Sequence, residues 1–279
     1  MKTLITGASG FIGSNLAKHL NAKENELYLC DLVAKNPNFI SGDLTNMEFV
    51  NKIIEEIKPD CIYQLTGTFS NNYEVDYKCN TLITKNILDS VLQNKLKTRI
   101  LLVGSAAEYG LQQESDSPIS ENFPLNAMSI YGLTKIFQTN LMMLYHRKYN
   151  MNIVMARTFN IIGKGQSEKL FVGNLFKQID EYKQGKIEKI ILGNLNNKRD
   201  YLTIEKVVNY FELIMQKGIS GEIYNVASGN SKQIKEIMEQ ICFSENIDTQ
   251  IIETKINPDF KYDVPDIYAD ITKLINLSK

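Results

Sequence analysis

Seven residues near the N-terminus constrain this chain more than any others. Gly7-Ala8-Ser9-Gly10-Phe11-Ile12-Gly13 reads G-x-x-G-x-x-G. The apolar run Lys2-Thr3-Leu4-Ile5-Thr6 precedes it, and Phe11, Ile12, Leu16 and Leu20 follow at helical spacing. The sequence therefore predicts a buried parallel strand, a tight turn and a helix. Gly7 allows the turn, Gly10 lets the backbone approach a pyrophosphate, and Gly13 lets the helix pack close to the strand. The helix start, with Phe11 and Ile12, offers free N–H groups and a positive dipole end to the anion. A glycine-rich turn with no ligand is the plainer alternative. The strand before it and the helix after it favour dinucleotide binding.

The same alternation continues. Apolar strands are predicted at 26–31, 61–65, 99–103, 152–157 and 223–227, with Leu65 ending the second of these beside the expected cofactor. Helical spacing runs over 49–57, about 73–93, 130–148, 204–216 and 234–242, and a short strand is predicted at 250–252. Apolar strands separated by helices predict an α/β fold, a Rossmann-type doubly wound parallel sheet with a smaller C-terminal substrate-binding part. Residues 1–160 form the expected dinucleotide-binding core, with 200–229 returning to it. Residues 161–199 and 230–279 form the expected substrate part, and the stretch from Arg157 to Asp200 reads as rich in loops.

Charge narrows the function classes. The chain has 279 residues, with 31 Lys+Arg against 32 Asp+Glu, a formal net charge of -1. That balance lacks the basic footprint of a nucleic-acid binder. No apolar run approaches the ~20 residues that span a bilayer, and the opening residues do not read as a secretory leader. Cys30, Cys61, Cys79 and Cys242 form no C-x-x-C pair and read as buried reduced thiols, so a cytoplasmic protein is expected. The only histidines, His19 and His146, lie apart in helix-like segments, and no metal site is expected.

Tyr131-Gly132-Leu133-Thr134-Lys135 sets a phenol and an ammonium one helical turn apart. A phenol titrates near ~10 and a nearby cation lowers that value. Such a phenol can donate a proton to a ketone oxygen that receives hydride. Ser105 ends a predicted strand, where a parallel sheet delivers residues to its carboxyl edge. Its hydroxyl can hold the same oxygen, or it is an ordinary strand-end residue. Asp31 ends the second strand, where an acid can accept from an adenosine ribose and disfavour a 2′-phosphate. That tilts the cofactor from NADP(H) toward NAD(H), although Lys35 stands nearby to offset it. Asp43, with Leu44, can meet the adenine edge, or Asp43 can cap the next helix. A dinucleotide turn, a strand-end Ser and then Y-x-x-x-K, in that order, is far rarer than any one element.

These residues resemble the extended short-chain dehydrogenase/reductase family, in its branch of NAD-dependent epimerases and dehydratases acting on nucleotide sugars. The resemblance covers nearly the whole chain. Its anchors are the segments 6–13, 42–44, 104–110, 131–135 and 156–160. The segments 160–166, 192–200 and 221–229 are similar to GDP-mannose dehydratases and GDP-4-keto-6-deoxymannose reductases. The resemblance implies Ser105, Tyr131 and Lys135 as catalytic, Lys135 also holding the nicotinamide ribose. It implies Ser105, Glu108, Asn160, Val172 and Arg199 at the substrate, the Arg199 fork suiting a diphosphate. A surface pair of Arg199 with Asp200 is the alternative. A homodimer is also implied, through helices at about 73–93 and 130–148, with Leu141, Met142, Leu144 and Tyr145 as contact residues, unless these face the subunit's own sheet.

The departures point to a reaction. Dehydratases of this resemblance carry a Glu two residues after the strand-end Ser or Thr, and epimerase-reductases of the fucose-synthase type carry a Cys there. This chain has Ala107, and a methyl group transfers no proton. Thr158 and Lys164 stand where Pro is common, and Lys261 stands in a segment that usually bears an Arg. The expected activity is NAD(P)H-dependent reduction of the 4-keto group of a GDP-4-keto-6-deoxy sugar. A 4-epimerase with tightly bound NAD is the alternative, and a non-catalytic dinucleotide sensor is a more distant one.

Overall fold

A computed structural model describes residues 1–21, 26–33, 39–255 and 266–279. Its main sheet uses β1 (Lys2–Thr6), β2 (Glu26–Asp31), β3 (Phe39–Ser41), β4 (Cys61–Gln64), β5 (Arg99–Ser105), β6 (Ile153–Thr158) and the strand Ile223–Val226. The spatial order is β3-β2-β1-β4-β5-β6, closed by Ile223–Val226. All neighbours run parallel. The winding reverses between β1 and β4, and the crevice of such a sheet lies outside the strand carboxyl ends at that point.

Alternation of side chains builds two faces. Leu4, Ile62, Ile100 and Leu102 project to one face, and Ile5, Tyr63, Leu101 and Val154 to the other. The second face is covered by α1 (Phe11–Asn21), through Leu16 and Leu20. The first is covered by α2 (Met47–Ile57), through Val50, Ile53, Ile54 and Ile57. Asn46 caps α2, accepting from the backbone N–H groups of Glu48 and Phe49. Asp43 accepts from the Thr45 N–H at 2.8 Å, so it shapes the turn before that cap and is not the cap itself.

The helix expected over 73–93 is interrupted. It comprises α3 (Tyr73–Asp76), a π-helical turn (Tyr77–Leu82) and α4 (Ile83–Gln93). Next along the chain, α5 (Ile130–Tyr149) puts Met142 and Tyr145 into the first-face core. Those two residues were expected as dimer contacts and are spent on the subunit's own packing. Leu144 is 52% exposed on the same helix.

Residues 158–200 hold more order than their glycines suggest. They contain α6 (Phe171–Lys183) and the strands Asn160–Ile162 and Ile190–Leu192. A separate core joins Val172, Leu175 and Ile179 of α6 to Ile237 and Ile241 of the helix Ile234–Ser244. The strand expected at 250–252 is a 3-10 turn, Thr249–Ile251, with the strand following at Ile252–Thr254. The helix Thr272–Asn276 buries Leu274 in the main core, although 230–279 was assigned to the substrate part. Lys35 and Lys261, with the rest of 260–265, lie outside the described residues. No helix among the described residues is long and apolar enough to cross a membrane.

Candidate active site

A cleft of about 650 Å³ opens at the carboxyl ends of β1, β4 and β5. Gly7, Gly10, Phe11, Ile12, Gly13 and Leu65 line it. The turn is built without room for side chains. Gly7 has φ +65°, and a Cβ there would lie 2.8 Å from the Thr66 backbone nitrogen. A Cβ on Gly13 would lie 2.2 Å from the Gly7 carbonyl oxygen. A cradle of bare backbone leading into a helix start fits the pyrophosphate of a dinucleotide. The Gly13 clash is with backbone, which cannot swing aside. Gly13→Ala should push α1 off β1, lower stability by about 1–3 kcal/mol and weaken NADH binding. Thermal melting and an NADH fluorescence titration check both, and wild-type binding by Gly13→Ala would refute the cradle.

Asp31 stands beside this turn, accepting from Ser9 N–H at 2.9 Å and from Ser9 Oγ at 2.5 Å. Leu44 differs from expectation: its side chain is 3% exposed in the first-face core, and its carbonyl accepts from Asn86 Nδ2. Only its backbone is left to meet an adenine. Asp31, Asp43 and Leu44 are not among the residues lining the cleft.

Across the cleft, Ser105, Tyr131 and Lys135 come together. Ser105 Oγ accepts from the Ala107 N–H at 3.2 Å, on the cleft wall that Tyr131 also lines. The Tyr131 ring packs edge-on against Phe69, with centroids 5.2 Å apart. Lys135 Nζ lies 5.9 Å from the Tyr131 ring centroid and donates to Val103 O at 2.9 Å and Gln138 Oε1 at 3.1 Å. The ammonium thus sits beneath the ring and not at the phenol oxygen. Burial pushes the Tyr131 phenol up to about 12, against the lowering pull of the nearby Ser105 hydroxyl. Burial also brings the Lys135 ammonium down to about 8, against the opposing pull of the Glu108 carboxylate. The Tyr131 value is thus raised and not lowered as expected, because desolvation by burial is the largest influence on it.

Glu108 is the clearest correction. It was expected at the substrate, yet it is fully buried. A 3-10 turn (Ala106–Glu108) carries its carboxylate inward. That carboxylate accepts from Ser105 N–H at 2.8 Å, Thr139 Oγ1 at 2.6 Å and Arg157 Nη2 at 2.9 Å. Burial alone would lower the Arg157 value, and the Glu108 charge, the Tyr109 phenol and the hydrogen bonds to both together raise it. Asn160, Val172 and Arg199 do line the cleft. Asn160 Nδ2 donates to Asp200 O. The buried Asp200 carboxylate accepts from Ser228, Gly229 and Ala269, so it is engaged inside the fold.

Asn80 was not singled out by sequence. Its Oδ1 accepts from Thr68 N–H and its Nδ2 donates to Thr68 O and Thr134 Oγ1. It ties the loop after β4 to α5 from within the π-helical turn, a local widening that often marks functional positions. Gln112 and Gln166 also line the cleft and were not anticipated. Among the described lining residues there is no Asp, Glu, His or Cys, and Lys135 and Arg199 are the cations.

A family model described as GDP-mannose 4,6 dehydratase matches residues 4–276. A GDP-6-deoxy-D-talose 4-dehydrogenase of Aggregatibacter actinomycetemcomitans is 30% identical over 283 residues, covering 99% of this chain and 91% of that protein. A GDP-6-deoxy-D-mannose reductase of Pseudomonas aeruginosa is 25% identical over 258 residues, covering 90% and 83%. The structure of RMD from Pseudomonas aeruginosa complexed with NADPH superposes with a TM-score of 0.86 at 22% identity, covering 99% of this chain and 91% of that one. A Thermotoga maritima UDP-glucose 4-epimerase with UDP-glucose gives 0.87 at 21% identity, covering 100% and 93%.

Proposed function

Because the chain belongs to the GDP-mannose 4,6-dehydratase family, we propose that it is an NAD(P)H-dependent reductase of the 4-keto group of a GDP-4-keto-6-deoxy sugar. The observation that carries this reading is the cleft's inventory of proton-moving groups. Its described lining residues hold the Ser105, Tyr131 and Lys135 cluster and a second phenol, Tyr201, with no carboxylate, imidazole or thiol. Eliminating water across C5–C6 needs a further acid. Ala107 lacks one, and the Glu108 carboxylate is held in the core by Arg157 and Thr139. Addition of hydride to a ketone needs only a donor for the oxygen. The 25–30% identity to enzymes named for GDP-6-deoxy sugars supports the substrate class.

A bound nicotinamide dinucleotide would supply the hydride. Ser105 Oγ would hold the C4 oxygen and Tyr131 would give it a proton. Lys135 would hold the nicotinamide ribose, and its charge would stabilise the phenolate left behind. The glycine turn and Leu65 would hold the pyrophosphate side. Asp31, with Asp43 and the Leu44 backbone, would meet the adenosine, and Asp31 favours NAD(H). Arg199 would meet the diphosphate, with Asn160 and Val172 against the nucleotide sugar. The protein would act in the cytoplasm as a homodimer, pairing through the apolar side chains exposed on α5, Leu133 at 39% and Leu144 at 52%.

A melting-temperature panel tests this. GDP, UDP, CDP and dTDP are each added with NADH or NADPH. Ligand at ~100 times its Kd stabilises the folded form by about 2.7 kcal/mol. GDP with NADH should give the largest rise. A clear response to UDP with none to GDP would overturn the substrate assignment. Turnover that consumes no free NADH would favour the 4-epimerase.

A further inference from the structure

Two amides lining the cleft, Gln112 and Gln166, have a buried oxygen with no partner among the described residues, and Gln112 is the one on the wall that carries Ser105. Gln112 is 7% exposed and lines the cleft. Its Oε1 is buried, with no hydrogen-bond partner among the described residues. Buried carbonyl oxygens are nearly always satisfied, so the exception calls for a donor.

The backbone under Gln112 is held firmly. Gly110 turns the chain at φ +64°, and a Cβ there would fall 1.6 Å from Asn126 O. Leu111 N–H donates to Asn126 O and Asn126 N–H donates to Glu108 O, both at 3.1 Å. Tyr109 is fully buried and its hydroxyl donates to Asn225 Oδ1 at 2.6 Å. The segment from Ser105 to Gln112 is thereby one rigid wall. A Cβ on Gly132 would meet Ala107 O at 2.4 Å, which joins that wall to the helix start bearing Tyr131.

We propose that Gln112 Oε1 accepts a hydrogen bond from a hydroxyl of the sugar whose ketone faces Ser105 and Tyr131, making Gln112 a specificity-determining residue. This rests on the nucleotide-sugar reading above. The chemistry selects a hydroxyl: a ketone oxygen and an ionised diphosphate have no proton to give, whereas sugar hydroxyls do. A site built to pair a substrate hydroxyl discriminates strongly against an analogue lacking it.

The test is calorimetric titration of wild type and Gln112→Leu with NADH, with GDP-mannose and GDP, and with UDP-glucose and UDP. Gln112→Leu removes the oxygen but keeps an apolar body, so its melting temperature should be at or above wild type. The nucleotide sugar that wild type binds should weaken by about tenfold or more. Its sugarless nucleotide and NADH should change less than about twofold. Equal weakening of sugar nucleotide and free nucleotide would move the contact to the base. Loss of NADH affinity would move it to the nicotinamide carboxamide. No change in any titration would leave Gln112 without a ligand role. Each of these three overturns the inference while wild-type binding keeps the nucleotide-sugar reading intact. Wild type that binds NADH and neither sugar nucleotide would overturn both.

Discussion

Tyr131→Phe should slow ketone reduction by roughly 10²–10⁴-fold, the range for losing a positioned general acid, with NADH affinity and melting temperature unchanged. The substitution is narrow. The ring keeps its edge-on contact with Phe69, and only the hydroxyl is lost. Ser105 still offers a hydrogen bond, but a serine hydroxyl is a far weaker acid than a phenol. NADH oxidation followed with a GDP-4-keto-6-deoxy sugar reads the rate. A Tyr131→Phe rate within a fewfold of wild type would end the assignment of Tyr131 as proton donor. The wild-type pH profile carries a second mark. With its value raised to about 12, Tyr131 keeps its proton across the neutral range. Lys135, brought down to about 8, loses its charge above that pH. Reduction should therefore be flat below about 8 and decline above it.

Glu108→Leu should be the most destabilising single change near the site. It would strand the Arg157 guanidinium, 1% exposed, with no carboxylate. Removing one member of a buried ion pair costs about 3–5 kcal/mol, on the order of a 10 °C fall in melting temperature. The desolvation cost lies in the orphaned charge, so Glu108→Leu combined with Arg157→Met should recover most of the loss. Activity should not recover with it, because both variants take the acceptor from Ser105 N–H. Glu108→Leu melting with wild type would show that the pair does not hold this region. Recovery of both stability and rate in the double variant would show that Glu108 does not position Ser105.

How far the site could be read in advance depends on the range of the forces involved. Apolar runs marked the strands because both sheet faces are covered, so no polar alternation interrupts them. The helix Phe171–Lys183 carries a legible signal in Val172, Leu175, Phe176 and Ile179. Gly173 and a start without a capping side chain, at Leu170, hid it. The π-helical turn at Tyr77–Leu82 has no such signal. Asn80 draws the loop after β4 toward α5 across sequence distances that periodicity does not register.

What the residues alone determined was the glycine turn, the alternating α/β order and the one-turn spacing of Tyr131 and Lys135. Each follows from backbone sterics or from one-turn spacing, which act over a few residues. Tertiary structure alone decided that Glu108 faces the core, that Met142 and Tyr145 serve the subunit's own packing, and that Lys135 lies under the Tyr131 ring. Those outcomes turn on burial and on partners far along the chain. The direction of a charged or apolar side chain is set by which distant element desolvates or neutralises it.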